Sequence, residues 1–156
     1  MLELIVGGAA YFLAIHSLLF GFKSPSGIIT SLFLTLLVYL PHEIGHMIHG
    51  GKYRIYPIGI AVSLLATYLR IPFILVGYVD TKREIDALTG PLMNLAIALS
   101  GLIVSQFYPN AIVVVYPSVV FALSNLLPIP PLDGYVIFRW KKSVWAILFV
   151  TLLLCA

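Results

Sequence analysis

Charge is scarce in this chain. Of its 156 residues only 10% are Asp, Glu, Lys or Arg, whereas 61% are hydrophobic. A soluble domain has about a quarter charged and about half apolar residues. The deficit excludes an ordinary soluble globule. Cysteine is almost missing too: Cys155 stands alone, so no intrachain disulfide can form and thiol chemistry is not indicated. The net charge of +3 rests on few, scattered basic residues and is no nucleic-acid footprint. The first apolar run, Leu2 to Phe20, lacks a basic leader and a small-residue cleavage site, and is read as a retained span. No internal repeat, low-complexity tract or appended soluble domain is expected from the sequence. The chain is expected to be one integral-membrane domain, residues 1–156, with lipid as its solvent.

The apolar residues fall in runs of spanning length. Expected spans are Leu2 to Phe20, Pro25 to His49, Gly90 to Phe107, Ala111 to Leu127 with a kink at Pro117, and a short one that starts after Lys141-Lys142 and runs to Ala156. His16 is expected to face another helix or an interface. Pro41 lacks an amide hydrogen and clashes with the Leu37 carbonyl, so a kink or broken turn is expected there. Residues 52–80 are rich in β-branched and aromatic residues cut by Pro57 and Pro72. They read as short membrane-associated strands, against the rival of one helix from Ile58 to Leu69. Thr81 to Glu84 fits a capping box. The expected fold class is a mainly α membrane protein with about five transmembrane helices and a small membrane-associated β segment between the second and third.

Lys52, Arg54, Arg70, Lys82, Arg83, Arg139, Lys141 and Lys142 fall on one side if the later spans alternate, and Lys23 on the other. The positive-inside rule makes the first side cytoplasmic, with the N-terminus inside and the C-terminus outside. The expected location is the plasma membrane of a prokaryote.

Within the second span stands Pro41-His42-Glu43-Ile44-Gly45-His46. Residues four apart share a helix face, so His42 and His46 can offer imidazole nitrogens to one metal ion. Glu43 can reach a water on that ion. Two zinc ligands and a general base is the metalloprotease reading of H-E-x-x-H. The bland alternative is a pair of core histidines beside a satisfied glutamate. Ionisable groups in hydrocarbon are costly unless paired or bound to metal, which favours zinc. A third ligand is needed. Glu3 is set aside as lying at the wrong end, and Asp80, Glu84 and Asp86 as surface or capping residues. Asp133 follows the rigid Pro128, Pro130, Pro131 run in an apolar context and has no other employment. His49 is given an interfacial or supporting role. Asn94 and Asn125 could bond a developing oxyanion or substrate backbone, or could simply tie helices together.

Three motifs resemble the site-2 protease family of intramembrane zinc metalloproteases: His42 to His46, Gly90-Pro91-Leu92-Met93-Asn94, and Asn125 to Gly134. Gly77-Tyr78-Val79 is similar to that family's strand before the third core span. The resemblance covers about residues 27–142. It implies one zinc ion per chain held by His42, His46 and Asp133, Glu43 as base, and Asn94 and Asn125 assisting substrate or intermediate. It also implies transmembrane protein substrates. Tyr135 departs from it, since many members carry a second glycine there. A non-catalytic scaffold or chaperone on the same fold is the alternative function, and a metal or ion transporter a weaker one. An extended edge at Ile74 to Val79 is expected to pair with an unwound substrate strand.

Overall fold

The computed structural model describes residues 1–48, 50–80 and 83–156. His49, Thr81 and Lys82 lie outside the described residues, and with them the expected role of His49, the Thr81 cap and the side taken by Lys82.

Helix α1 spans Leu2–Phe20. Helices α2 (Ile28–Leu34) and α3 (Leu40–Met47) are joined by a π turn, Thr35–Tyr39, into one rod. In that turn the Leu40 amide reaches back to the Thr35 carbonyl, five residues away. The wider turn makes room for the ring of Pro41, whose expected defect therefore appears as a π bulge rather than a break. Strand β1 (Lys52–Ile55) pairs antiparallel with β2 (Gly77–Asp80), in the register Lys52↔Asp80 to Ile55↔Gly77. Between them comes helix α4, Pro57–Tyr68. A 3-10 turn, Glu84–Leu88, leads into α5, Thr89–Ser105. Another, Pro109–Val114, leads into α6, Val115–Asn125. Pro117 sits in the first turn of α6, where its missing N–H costs nothing, so the kink expected inside the helix is replaced by a helix start. Helices α7 (Asp133–Trp140) and α8 (Lys142–Leu154) complete the chain.

Among the described residues, three helices are long and apolar enough to cross a membrane: Leu2–Phe20, Ile28–Met47 and Glu84–Ser105. The helices Pro109–Asn125 and Lys142–Leu154 are apolar but shorter. At ~1.5 Å per residue, α8 covers roughly 20 Å of a core ~30 Å thick. The exposed faces are apolar, with Ile29, Ile103 and Ile147 each more than half exposed, while His42, Glu43, His46 and Asn94 are almost fully buried. Polar groups inside and apolar groups outside is the pattern lipid imposes.

Residues 56–76 correct the strand reading. The rival helix wins over Pro57–Tyr68, since alanine, leucine and serine in that run suit a helix and its neighbours bury one face. The chain then turns at Arg70, whose φ of 63° is left-handed, and returns extended to β2. At ~1.5 Å per helical and ~3.3 Å per extended residue, the helix and the six-residue return are each about 20 Å long. The segment is thus a hairpin whose two arms are each shorter than a ~30 Å hydrocarbon core. Arg70 marks its tip: Nη1 donates to the carbonyls of Ser17 (3.1 Å) and Leu18 (2.6 Å), at the end of α1. The other end of α1 meets the sheet, where Glu3 Oε2 accepts from the Ile55 amide (3.0 Å) and Oε1 lies 3.7 Å from Arg54. Glu3 is therefore at the sheet end, not the far end, and Arg70 lies with Lys23 rather than with Lys52.

Extended backbone at this depth must be satisfied from within the protein. Two serines do this. Ser63 Oγ accepts from the Leu75 amide (2.6 Å) and donates to the Leu75 carbonyl (3.0 Å), and Ser124 Oγ accepts from the Ile74 amide (3.1 Å). Ser63→Ala is expected to lower stability by about 1–3 kcal/mol, because both polar groups of Leu75 are then left bare in the interior. Thermal unfolding in detergent, compared with Ser63→Thr, checks this. His16, near the same end, is fully engaged: Nδ1 with Ser31 Oγ (3.0 Å) and Nε2 with the Ser24 carbonyl (2.7 Å).

Candidate metal centre

Helix α3 carries both histidines on one face, and that face packs against the start of α5. Gly45, between them, allows this approach by resting against Thr89 and Met93. His42 Nε2 and His46 Nε2 lie 3.3 Å apart.

Asp133 is brought to them by the chain after α6. Three prolines keep that chain non-helical, and α7 starts at Asp133 itself. Gly134 is pressed against the Leu126 carbonyl so closely that a Cβ would collide with it. Trp145 from α8 donates its indole N–H to the same carbonyl (2.7 Å). The carboxylate is therefore positioned by packing on both sides. Its Oδ2 lies 3.1 Å from His46 Nε2 and 3.3 Å from His42 Nε2.

Three potential ligand atoms thus form a near-equilateral triangle of 3.1–3.3 Å. Ligand atoms bound to a tetrahedral zinc at about 2.0–2.2 Å stand about 3.3 Å from one another. The donor set, two imidazoles and one carboxylate, is a zinc set that leaves a fourth position. Gly90, the second residue of α5, faces the triangle: a Cβ there would collide with His46 Nε2 and stand 2.7 Å from His42 Nε2. The residues present fit a zinc ion. Burial pushes the Asp133 carboxyl up, but the facing imidazoles of His46 and His42 outweigh it and hold it down at about 2. Asp133 is a carboxylate at neutral pH, as a ligand must be.

His46 has a supporting partner that the sequence reading missed. Its Nδ1 lies 2.8 Å from the Asp86 backbone carbonyl. Donation there fixes the tautomer that leaves Nε2 free as a ligand atom. Thr89 Oγ1 donates to the same carbonyl (2.6 Å). Arg83 holds the turn by a two-pronged bond to the Asp86 carboxylate, Nε to Oδ2 at 3.1 Å and Nη2 to Oδ1 at 2.7 Å. Asp86, expected as a solvated helix-end charge, is only 2% exposed. A backbone carbonyl leaves no trace in the sequence.

Glu43 follows His42 on α3 and is 2% exposed. The charges that act on it are those of His46 and Asp133. Asn94 is fully buried on α5, one turn beyond Gly90, and donates Nδ2 to the Ser118 carbonyl (3.3 Å). Asn125 ends α6 and donates Nδ2 to Phe121 O of its own helix (3.0 Å). The Phe121 ring in turn packs on His42, with centroids 4.6 Å apart.

A segment of 74 residues is 35% identical to a protein of Methanocaldococcus jannaschii named "Putative zinc metalloprotease MJ0611", covering 43% of this chain and 39% of that protein. The match spans about two-fifths of the relative's length. No family model matches the chain. No solved structure matches it.

Proposed function

We propose that the chain is an intramembrane zinc metalloprotease of the site-2 protease type, which hydrolyses peptide bonds in transmembrane segments of other proteins. The triangle of His42 Nε2, His46 Nε2 and Asp133 Oδ2 at 3.1–3.3 Å carries this reading. The name of the archaeal relative agrees with it at the level of zinc metalloprotease. His42, His46 and Asp133 hold the ion. When bound, zinc supplies a Lewis acid and lowers the pKa of a coordinated water towards neutrality. Glu43, next to His42 on α3, would be the base that takes a proton from the water attacking the scissile carbonyl carbon. The C–N bond breaks, and Glu43 delivers the proton to the leaving nitrogen. Asn125, at the mouth of the proline turn, is placed to bond the substrate backbone.

Access requires an unwound substrate, because a spanning helix satisfies its own backbone. The Ile55 amide is turned outward to Glu3, so Ile55↔Gly77 is a pair whose amides face away from each other. By alternation, Gly77 and Val79 present N–H and C=O to the other side of β2, where no described strand pairs with them. That edge is the proposed substrate-pairing strand. Its start is corrected: the Ile74 and Leu75 amides are occupied by Ser124 and Ser63 and are not free to pair. Val79→Pro is expected to reduce cleavage at least about tenfold while zinc stays bound, since it removes an outward amide without touching the β1 ladder. Cleavage at the wild-type rate would remove the edge from the mechanism.

The basic residues on the side of the site are Lys52, Arg54, Arg83, Arg139, Lys141 and Lys142, with Lys23 and Arg70 opposite; the positive-inside rule supports a site near the cytoplasmic face. The reading is tested with purified protein in detergent and a reporter bearing a transmembrane segment. Cleavage should stop on chelation and return with zinc. A protein that binds zinc and never cuts would favour the scaffold alternative.

A further inference from the structure

The two histidines are not supported alike. His46 has the Asp86 carbonyl at its Nδ1. His42 Nδ1 is buried and makes no hydrogen bond of good geometry. The buried side-chain atoms in the same condition, among the described residues, are Tyr11 Oη, Tyr53 Oη and Asn94 Oδ1. A buried polar atom without a partner is costly, so each needs an explanation.

Asn94 Oδ1 answers to His42 Nδ1 in chemistry and in place. An amide oxygen accepts only, and a neutral imidazole with Nε2 committed to a metal carries its proton on Nδ1. Gly90 faces the Nε2 atoms of both histidines. Asn94 is four residues further along α5 and shares that face. Its Nδ2 is committed to the Ser118 carbonyl, which leaves Oδ1 as the free end of the amide. The Asn94 side chain is close enough to His42 to influence its ring, while neither His42 Nδ1 nor Asn94 Oδ1 makes a hydrogen bond in this structure. The tyrosines meet other groups: Tyr11 stacks on Tyr39 and packs edge-on against Phe121, which stands between it and His42, and Tyr53 lies on β1 against Gly7 and Gly77.

We propose that Asn94 is the positioning residue of His42: Oδ1 accepts the Nδ1 proton, fixes the ring and tautomer, and turns the Nε2 lone pair to the metal. This rests on the zinc reading above, but moves Asn94 from the substrate to the ligand shell. Ser118, through its carbonyl, orients the amide in turn.

The test is zinc affinity, read by competition with a chromophoric chelator, with the d–d spectrum of cobalt-substituted protein as a geometric signature. Asn94→Leu should weaken zinc binding by about 10- to 100-fold and alter the cobalt spectrum. Asn94→Asp, which keeps an acceptor oxygen, should restore most of both. Tyr11→Phe should change neither. In zinc-loaded wild type, the His42 Nδ1 proton should be protected from exchange; this reading stands even if Asn94→Leu does not fold. Wild-type affinity in Asn94→Leu with lost cleavage would place Asn94 on the substrate and overturn the proposal. So would weakened zinc in Tyr11→Phe, or a freely exchanging Nδ1 proton. A wild-type protein without zinc affinity would end the metal reading itself, and this inference with it.

Discussion

Glu43→Gln is expected to keep its zinc and to cut a transmembrane reporter about 10²- to 10⁴-fold more slowly than wild type, the range a positioned general base contributes. The substitution is nearly isosteric and leaves His42, His46 and Asp133 untouched. Zinc content and chelator competition should therefore match wild type. Only proton transfer is lost, because an amide oxygen cannot carry the proton from water to the leaving amine. Glu43 is buried and acts in the field of His46 and Asp133, and its replacement by a neutral group also removes a buried acid. Unfolding should shift by no more than about 1–2 kcal/mol, upward or downward. The experiment separates two readings. A scaffold on this fold would be indifferent to the change, whereas a hydrolase would not. Cleavage at the wild-type rate would dismiss Glu43 as base and leave the ligand triangle standing.

The parts of the site that could be read from the sequence are those with side-chain periodicity. His42 and His46 had to share a face if their stretch was helical, and Asp133 had to be near them if the spans alternated. Both conditions are local or topological. The parts that could not be read are relational. Asp86 supports His46 through a carbonyl, which every residue possesses. Ser63 and Ser124 satisfy the returning strand across about 12 and about 50 positions of chain, and no local pattern marks a serine for that work. The run Pro57 to Tyr68 has β-branched and helix-forming residues in comparable measure. Its state was decided by tertiary burial, which overrides weak propensities. Arg70 was assigned by loop position, and went wrong because a hairpin carries its tip to the opposite face. Arg70 thereby joins Lys23, and the positive-inside count on the side of Lys52 loses one member.

Gly90 carries the other large effect. In the sequence it reads as a helix-start residue before Pro91. In the structure it faces the two histidine ligand atoms, and a Cβ would strike His46 Nε2 while standing 2.7 Å from His42 Nε2 and from His46 Cε1. Those atoms cannot simply yield. His46 is tied at Nδ1 to the Asp86 carbonyl, and the Phe121 ring backs His42. The helix bearing Gly90 cannot retreat cheaply either, because α5 packs on both α3 and α6. One methyl group would therefore crowd both imidazole nitrogens that would hold the ion. Gly90→Ala is expected to weaken zinc binding by more than about 100-fold, beyond the loss from removing a single supporting bond. Cleavage should fall in step. Glycine is also a poor residue within a helix, so alanine at position 90 should raise helix propensity by up to about 1 kcal/mol. Any drop in thermal stability of the zinc-free protein then reports the clash alone. Loss of zinc with intact fold is the expected result, read by metal analysis beside the unfolding curve. Full zinc occupancy in Gly90→Ala would mean that the ion, if held, lies away from the triangle, and the assignment of His42, His46 and Asp133 as its ligands would have to be given up.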